Sequence, residues 1–361
     1  MKGAEQRRRR VLVAMSGGVD SSVAAALLAQ AGHEVCGVTL KLWGGEQDTG
    51  CCSIDDVEDA RRVARRLGIE HLVFNLAELF QHQVVDTYVE SHRRGETPNP
   101  CIECNRHIKF DALLRRALVL GFDSLATGHH ARVVEWPDGS RRVARGLDRA
   151  KDQSYVLGML DSTQLRHLEF PVGALTKAEV RRIAADLGLP TASKPDSQDV
   201  CFIPRNGGRR RFLADRIELT PAAVCTPEGE VLGSVPAAQL VTVGQRRGLG
   251  IEAGEPRYVL SVDTAERKIV VGTLRDLHVR QTRLRDVVWV DDAVAERART
   301  GLVVEAQTSA HGKAAEATVT SEGGRTAEVL WDRPRPRVAP GQSVVFYEAD
   351  TVVGSGIAEV G

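Results

Sequence analysis

A glycine- and serine-rich turn near the start of the chain places the strongest limit on what this sequence can fold into. The turn, Met15–Ser22 (MSGGVDSS), follows an apolar run at Arg10–Met15 and precedes a helical pattern at Val19–Ala31. Glycines permit a tight turn and let a ligand approach the backbone closely. The N–H groups at a helix start attract anions. The pattern therefore predicts a strand, a phosphate-binding loop and a helix.

This loop differs from the two commonest nucleotide-binding loops. It has neither the Gly-Lys-Ser/Thr of a P-loop nor the Gly-x-Gly-x-x-Gly of a dinucleotide-binding fold. Ser16, Ser21 and Ser22 can add hydroxyl donors, whereas Asp20 is unfavourable near phosphates unless it holds Mg²⁺ or orients the loop. A serine-capped strand–helix junction without a ligand is the alternative interpretation.

The first half of the chain alternates short apolar runs with helical patterns, which is typical of βαβ units and a parallel sheet. Beyond the first strand and helix, the predicted strands are 33–43, 69–74 and 122–127, and the predicted helices are 55–67, 77–94 and 106–120. A turn-rich stretch, Gly95–Cys101, precedes the last of these helices. Two later patterns predict a hairpin with arms 132–136 and 141–144, and a helix opened by a capping box at Thr176–Glu179.

The second half has a different character. After about residue 201, short Val-rich runs separated by Gly, Pro and Asp replace the helical periodicity, as expected for antiparallel sheets or small barrels. A chain of 361 residues is long enough for two or three domains. We predict an α/β catalytic domain at residues 1–205, a small β-rich domain at 206–280 and a C-terminal β-barrel at 281–361.

Charge and hydropathy exclude some classes of protein. Lys and Arg total 48, as do Asp and Glu, so net charge gives no argument for a polyanionic partner. The sequence has no run of about 18 apolar residues, so it predicts no transmembrane helix. The arginines near the N-terminus precede a short strand pattern instead of a secretory apolar core. We expect a cytoplasmic protein without a membrane partner.

The cysteines suggest chemistry in a reducing compartment, where structural disulfides are rare. Cys101 and Cys104 form a Cys-x-x-Cys pair in a Pro-rich stretch before a helix, a setting compatible with metal ligation, with redox or sulfur chemistry, or with chance. Adjacent Cys51 and Cys52 could complete a zinc site, although their spacing fits poorly. Cys201 beside Phe202 is compatible with a buried small side chain or with a functional thiol.

Several motifs in order resemble the bacterial tRNA 2-thiouridylase family, and the loop by itself resembles that of the N-type ATP pyrophosphatases. The motifs are SGGVDS (16–21), TPNPCIECN (97–105), IKF (108–110), ATGH (126–129), KDQSYV (151–156), SQDVCF (197–202) and VGQRRGLG (243–250). The resemblance runs from residue 10 to about 260 and is weaker beyond. It implies a parallel-sheet ATP-pyrophosphatase domain followed by two smaller, mainly β domains.

The resemblance implies a reaction and its cofactors. ATP, with Mg²⁺, would adenylate the C2 oxygen of the wobble uridine, and sulfur from a cysteine persulfide would then give 2-thiouridine, AMP and pyrophosphate. Cys201 would carry the persulfide and Cys104 would be the catalytic nucleophile, leaving a disulfide between them. A cysteine desulfurase or a sulfur-relay protein would supply the sulfur. The implied ATP-binding residues are Ala14, Met15, Ser16, Gly17, Gly18, Val19, Asp20, Ser21, Leu40 and Gly128.

The resemblance also implies tRNA contacts. Asn99, Pro100 and Cys101 would line the pocket for the target base, which must leave its stack to react. The other implied tRNA-binding residues are His129, Lys151, Asp152, Gln153, Ser309, Ala310 and Gln342.

This sequence departs from the commoner family pattern at four places. Cys101 stands where many members have Asp, His130 where Tyr is common, and Leu40 where Met is common. Ser309 and Ala310 stand where an Arg-Tyr pair is common. A third thiol at position 101 allows an alternative cofactor, a [4Fe–4S] cluster on Cys101, Cys104 and Cys201.

Two other functions fit parts of the sequence. One is a different adenylating ligase of the amidotransferase type, although such ligases usually need an ammonia source and no glutaminase motif is visible. The other is an RNA-binding module that uses a nucleotide only as a structural ligand. A requirement for Cys104 and Cys201 would separate the thiouridylase from the ligase, and tRNA-dependent pyrophosphate release would exclude the module.

Overall fold

The computed structural model describes residues 8–43, 54–137, 139–196, 200–203, 206–252 and 254–360. The chain forms two compact units: residues 1–84 with 101–204, and residues 85–100 with 205–361. Cys51, Cys52 and the motif residues Ser197–Asp199 lie outside the described residues. Among the described residues, no helix combines the length and the apolar character needed to cross a membrane.

The first unit is built on a five-stranded parallel sheet, which confirms the predicted fold class. Its strands, in the spatial order β3-β2-β1-β4-β7, are β1 (Arg10–Ala14), β2 (Glu34–Lys41), β3 (Glu70–Asn75), β4 (Ser124–Thr127) and β7 (Leu168–Glu169). Val11, Leu12 and Val13 are completely buried, as expected for the central strand of a sheet covered on both faces.

Helices of the first unit carry several residues of the site. They are α1 (Val19–Gln30), α2 (Ile54–Leu67), α3 (Ala77–Phe80), α5 (Pro100–Glu103), α6 (Leu114–Val119), α7 (Ser162–Leu165) and α8 (Lys177–Asp186). Small residues of α1, among them Ala24 and Ala25, share one core with Val180 and Ala184 of α8. These small side chains let α1 lie close to both the sheet and α8.

The helix after the Pro-rich stretch begins earlier than the sequence predicts. Its first residue is Pro100, and it continues through a π-helical segment, Cys104–Leu113, into α6. The prediction of a turn up to Cys101 is therefore wrong at its end. Proline suits the first position of a helix because its missing N–H would have no partner there.

Two other local predictions for the first unit are confirmed. The hairpin consists of β5 (Ala131–Glu135) and β6 (Arg141–Arg145), paired antiparallel. At the start of α8, the Thr176 hydroxyl accepts a hydrogen bond from the Glu179 N–H, and the Glu179 carboxylate accepts one from the Thr176 N–H.

The second unit is mainly β, as its sequence predicts. A four-stranded sheet in the order β10-β11-β8-β9 encloses a small apolar core, with strands β8 (Ala222–Cys225), β9 (Val231–Val235), β10 (Tyr258–Asp263) and β11 (Lys268–Gly272). The same unit contains the short helices α4 (Thr87–Arg93), α9 (Gly208–Ala214), α10 (Leu274–Leu277) and α11 (Asp292–Ala298).

Six further strands form a closed barrel because the first pairs with the last. They run in the order β12-β15-β14-β13-β16-β17 and are β12 (His278–Trp289), β13 (Leu302–Gln307), β14 (Ala315–Gly323), β15 (Thr326–Pro336), β16 (Ser343–Glu348) and β17 (Thr351–Ala358). Trp331 of β15 is almost completely buried. Its indole N–H donates to the Thr282 hydroxyl at 3.0 Å, so its polar atom is satisfied.

A buried histidine joins α4 to the segment that follows β9 in the second unit. The ring of His92 lies 4.5 Å from that of Tyr88, and its Nδ1 is 3.2 Å from the carbonyl oxygen of Gln239. Burial, reinforced by the positive charge of Arg209, lowers the pKa of His92 from 6.5 to about 4. The folded protein therefore holds this ring neutral at pH 7.

Acid should destabilise the fold through His92. Because its folded pKa lies below its unfolded value, the contribution of the neutral ring is complete above pH 6.5 and falls as the pH approaches 4. The loss amounts to about 3 kcal/mol. Urea unfolding at pH 7 and pH 4 should show that His92→Gln loses less unfolding free energy between the two pH values than the wild type does. His311→Gln, which alters an exposed histidine, should lose as much unfolding free energy as the wild type. Equal acid losses in wild type and His92→Gln would contradict this assignment.

Candidate active site

The glycine–serine turn forms a tight loop between β1 and α1, as its pattern predicts. Gly17 has φ +70°, and a Cβ there would lie 2.5 Å from the Asp56 carbonyl oxygen. Only glycine therefore fits at this position without moving α2. Gly18, which precedes α1, has no side chain to cap the helix. The first N–H groups of α1 can thus serve an anionic ligand.

Serine hydroxyls stabilise the loop from inside. The Ser16 N–H donates to the Ser21 hydroxyl at 3.2 Å, and the hydroxyls of Ser21 and Ser22 both donate to the Gly18 carbonyl oxygen, at 3.2 and 2.8 Å. Ser22 is completely buried. The sequence alone allowed this hydroxyl to donate to a phosphate. In the structure it shapes the turn instead.

Asp20 lies between two nitrogen donors. Both of its carboxylate oxygens accept from the Lys177 Nζ at 2.7 Å, and its Oδ1 is 3.0 Å from the Nε2 of His130. Desolvation raises the pKa of Asp20, but hydrogen bonds to His130 and Lys177, together with the Lys177 charge, outweigh it and lower the pKa. The carboxylate is therefore ionised, and its contacts match the loop-orienting role that the sequence left open.

Gly128 lies directly against the start of α1. A Cβ at this position would be 2.5 Å from the Ser21 backbone nitrogen. Gly128 follows β4, and its contact with Ser21 brings the β4 end beside the loop that follows β1. The structure thus brings together two of the predicted ATP-binding segments, whereas Leu40, another predicted contact, is buried in β2.

His129 is held as a neutral ring beside the same segment. Its Nδ1 is 2.7 Å from the Thr127 hydroxyl, and its ring lies 5.7 Å from that of Phe110 and 5.9 Å from that of Phe170. Desolvation, with smaller effects from Lys109 and His130, holds the pKa of His129 well below its ordinary value. This side chain can therefore offer a hydrogen bond to a ligand but no positive charge at neutral pH.

The three predicted tRNA-binding residues 151–153 differ in their surroundings. Asp152 accepts from the Arg145 guanidinium at 3.1 Å and from the Gly146 N–H at 2.9 Å. Gln153 is bound to the backbone of His130, whose N–H donates to its side-chain oxygen at 2.9 Å. Lys151 is the only cation of the three, and its side chain is 38% exposed. Asp152 and Gln153 therefore shape this turn, and Lys151 is best placed to meet a phosphate.

The carboxylate of Asp196 forms ion pairs with three cationic side chains. Its oxygens lie 2.9 Å from the Nζ of Lys151, 2.9 Å from the Nζ of Lys177 and 2.7 Å from the Arg181 guanidinium. Lys177 and Arg181 belong to α8. Sequence reasoning missed Lys177, although the capping box at Thr176 places residue 177 in the first helical turn.

Lys194 attaches the segment before Cys201 to α2. Its Nζ lies 2.7 Å from Asp56 and 2.6 Å from Asp59. The backbone of the same Asp56 faces Gly17 in the loop. Ion pairs at both Lys194 and Asp196 therefore hold this segment in the first unit, on the side of the loop.

The two segments that carry the predicted catalytic thiols both contact α3. Phe202, next to Cys201, packs its ring 5.8 Å from that of Phe80 in α3. The turn that contains Phe80 packs against the π-helical segment that begins at Cys104. Both thiol-bearing segments therefore meet α3.

The third thiol of the motif has a different environment. Cys101 is exposed, whereas Cys104 is buried and Cys201 is half-buried. Within the described part of the chain, no group of three or more His, Cys, Asp or Glu side chains is arranged to hold a metal ion. The three thiols as placed therefore do not fit the alternative of a cluster on Cys101, Cys104 and Cys201.

The remaining predicted tRNA-binding residues belong to the second unit. The Gln342 side-chain amide donates to the Thr97 carbonyl oxygen, and the Thr97 N–H donates to the Pro340 carbonyl oxygen at 2.8 Å. Gln342 therefore lies beside the segment that leads to Asn99 and Pro100. Ser309 and Ala310 lie in a turn after β13, where both carbonyl oxygens accept from the Gln307 amide.

Three protein-family models match successive parts of this chain. Residues 9–205 match the tRNA methyl transferase HUP domain. Residues 210–273 match the tRNA methyl transferase PRC-barrel domain. Residues 279–358 match the aminomethyltransferase beta-barrel domain.

Curated relatives match over almost the whole chain. A protein named tRNA-specific 2-thiouridylase MnmA from Chloroflexus aurantiacus is 46% identical, over 96% of this chain and 97% of its own. One of the same name from Carboxydothermus hydrogenoformans is 45% identical, over 98% of each chain. A third, from Geobacter metallireducens, is 43% identical, over 98% of this chain and 97% of its own.

Replacement of Gly128 by alanine should impair nucleotide binding without unfolding the protein. The added Cβ would meet the Ser21 nitrogen, and the overpacking should displace the start of α1. We expect ATP to bind at least about tenfold more weakly in Gly128→Ala, measured by isothermal titration calorimetry. Gly254→Ala, where a Cβ meets open space, is the matched control and should bind as the wild type does. Unchanged ATP affinity in Gly128→Ala would place the nucleotide elsewhere.

Proposed function

This chain belongs to the family of tRNA-specific 2-thiouridylases, and we propose from that premise how its residues carry out the reaction. The family match and the long, similar relatives make it a tRNA-uridine 2-sulfurtransferase that uses ATP. They also favour this function over the ligase and the RNA-binding module that the sequence left open. Within the chain we assign catalysis to residues 1–205, followed by a small β-rich domain at 206–280 and a barrel at 281–361.

The loop at Ala14–Ser21 is the observation on which the nucleotide site rests. A uracil C2 oxygen is a poor leaving group, and transfer of AMP to it creates a good one. The attack on the α-phosphorus of ATP breaks the α–β bond and releases pyrophosphate. The α1 N–H groups and the nearby ammonium of Lys177 can stabilise the negative charge of that leaving group.

Mg²⁺ is the ion that we expect with ATP at this site. Asp20 is the carboxylate of the loop itself, and its lowered pKa keeps it ionised. Its oxygens now accept from Lys177, so a metal ion would have to share this carboxylate with the lysine. Oxygen ligands of this type are the ones that Mg²⁺ prefers.

Sulfur reaches the activated base through two thiols. Cys201 receives a sulfur atom as a persulfide from a donor protein. The Cys104 thiolate attacks the inner sulfur of that persulfide, forms a Cys104–Cys201 disulfide and releases hydrosulfide. The hydrosulfide attacks C2 and displaces AMP, so the oxygen leaves with the AMP and a proton is lost. An external thiol reductant then supplies two electrons to restore both cysteines.

The persulfide route is the one that these thiols support. The exposure of Cys101 and the burial of Cys104 do not suit a shared [4Fe–4S] cluster, and no step is assigned to one. Iron and acid-labile sulfide analysis of anaerobically purified protein tests this choice. Stoichiometric iron that is lost in Cys101→Ala would overturn it.

The tRNA contacts that we assign are those that the family motifs imply. We assign Asn99, Pro100 and Cys101 to the target-base pocket, with His129, Lys151, Asp152, Gln153 and Gln342 as further contacts. Ser309 and Ala310 can offer only short side chains and backbone groups. A cysteine desulfurase or a sulfur-relay protein is the sulfur donor that the persulfide requires, and we place the reaction in the cytoplasm.

Cys201→Ser should abolish thiolation while leaving nucleotide binding intact, because the hydroxyl cannot carry a persulfide. The measurement is mass analysis of tRNA nucleosides after incubation with ATP, Mg²⁺, cysteine, a reductant and a cysteine desulfurase. The wild type should add one sulfur at the wobble uridine, and Cys201→Ser should add none while still binding ATP. Cys225→Ala, which alters a buried thiol of the second unit, is the control and should thiolate normally. Full thiolation by Cys201→Ser would remove this residue from the mechanism.

Asp20→Ala should block the first half-reaction. Loss of this carboxylate leaves Lys177 paired with Asp196 alone and removes the candidate metal ligand, so tRNA-dependent pyrophosphate release should fall at least about 100-fold. Asp186→Ala, at the exposed end of α8, is the control. A normal rate of pyrophosphate release in Asp20→Ala would show that the loop is misassigned.

A further inference from the structure

The carboxylate of Asp196 pairs with two lysines to which we assign different ligands. One of its cations, Lys151, is 38% exposed and is the best-placed phosphate contact in the predicted tRNA-binding turn. Another, Lys177, is 12% exposed and also binds Asp20 of the nucleotide loop. A single side chain thus connects the residue that would meet RNA with the residue that would meet ATP.

Lys177 is shared by two carboxylates. Its Nζ is 2.7 Å from each oxygen of Asp20 and 2.9 Å from Asp196. Any change in how strongly Asp196 attracts Lys177 therefore changes how strongly the lysine is held at Asp20. Charge-assisted contacts of this length are strong enough for such a competition to matter.

The same turn is also fastened to α8 through its backbone. The Asp148 carboxylate accepts from the Lys177 N–H at 3.0 Å, and the Lys151 N–H donates to the Asp148 carbonyl oxygen at 3.0 Å. The backbones of Lys151 and Lys177 are therefore held in place, while their ammonium groups both reach Asp196. Movement of one charge alters the surroundings of the other without any change of fold.

We propose that Asp196 is a positioning residue that couples tRNA binding at Lys151 to ATP binding at the loop through Lys177. This inference rests on the proposed roles of Lys151 and of the loop. An RNA phosphate that draws Lys151 away leaves Asp196 with fewer cations, so Asp196 attracts Lys177 more strongly. The lysine is then held less tightly by Asp20, and the electrostatic potential at the loop that receives the ATP phosphates becomes more negative. Coupling of this kind is reciprocal between the two ligands.

The test measures the affinity for α,β-methylene-ATP with and without an unmodified tRNA transcript. This analogue cannot be cleaved between its α and β phosphates, so binding is separated from adenylation. In the wild type, saturating tRNA should change the Kd of the analogue by at least about fivefold. In Asp196→Asn the ratio of the two Kd values should fall to within about twofold, although each ligand still binds alone. Asp196→Glu should restore part of the coupling.

A matched control removes a different carboxylate of the same region. Asp186→Asn breaks an exposed ion pair with Arg182 at the other end of α8 and should keep the wild-type ratio. Circular dichroism and thermal unfolding of each variant report whether it folds.

Two results would overturn the proposal. One is the absence of coupling in the wild type. The other is an unchanged ratio of Kd values in Asp196→Asn, including the case in which the analogue binds equally more weakly with and without tRNA, as expected of a merely structural residue. Failure of the wild type to bind the analogue or the tRNA alone would instead show that the nucleotide or tRNA site itself is misassigned.

Discussion

The contact between Lys177 and Asp20 is the interaction on which the organisation of this site depends. A carboxylate inside a phosphate-binding loop repels the ligand that the loop is shaped to receive. Lys177 and His130 counter that charge, and the lowered pKa of Asp20 shows that their attraction exceeds the penalty of burial. Lys177 belongs to α8. The negative charge of Asp20 in the loop is therefore balanced only when distant parts of the first unit have folded together.

Backbone packing supports the same arrangement. Gly17 faces the backbone of α2, and Gly128 faces the start of α1. Close approaches of this kind leave no room for a side chain, so the loop is held by neighbouring main chain as well as by ion pairs. The N–H groups of α1 are therefore presented in a fixed geometry, which is what charge stabilisation of a leaving group requires.

The reaction needs two kinds of chemistry, and the first unit provides residues for both. Adenylation depends on positive charge and N–H groups at the loop. Sulfur transfer depends on thiols in the segments that begin at Cys104 and include Cys201, both of which meet α3. Ion pairs from Lys194 and Asp196 hold the segment before Cys201 close to α2 and α8. The thiol segment is thus attached to the same helices that surround the nucleotide loop.

The local sequence alone determined much of this protein. Alternating apolar runs predicted the parallel sheet, glycine and serine spacing predicted the loop, and the capping box at Thr176 predicted where α8 begins, because each depends on neighbours close in the chain. Tertiary structure decided the rest. The sequence could not show that Lys177 would reach Asp20, 157 positions away, or that Asp196 would bind three cations. Ion pairs between distant residues depend on how helices pack on the sheet, and no local pattern records that packing.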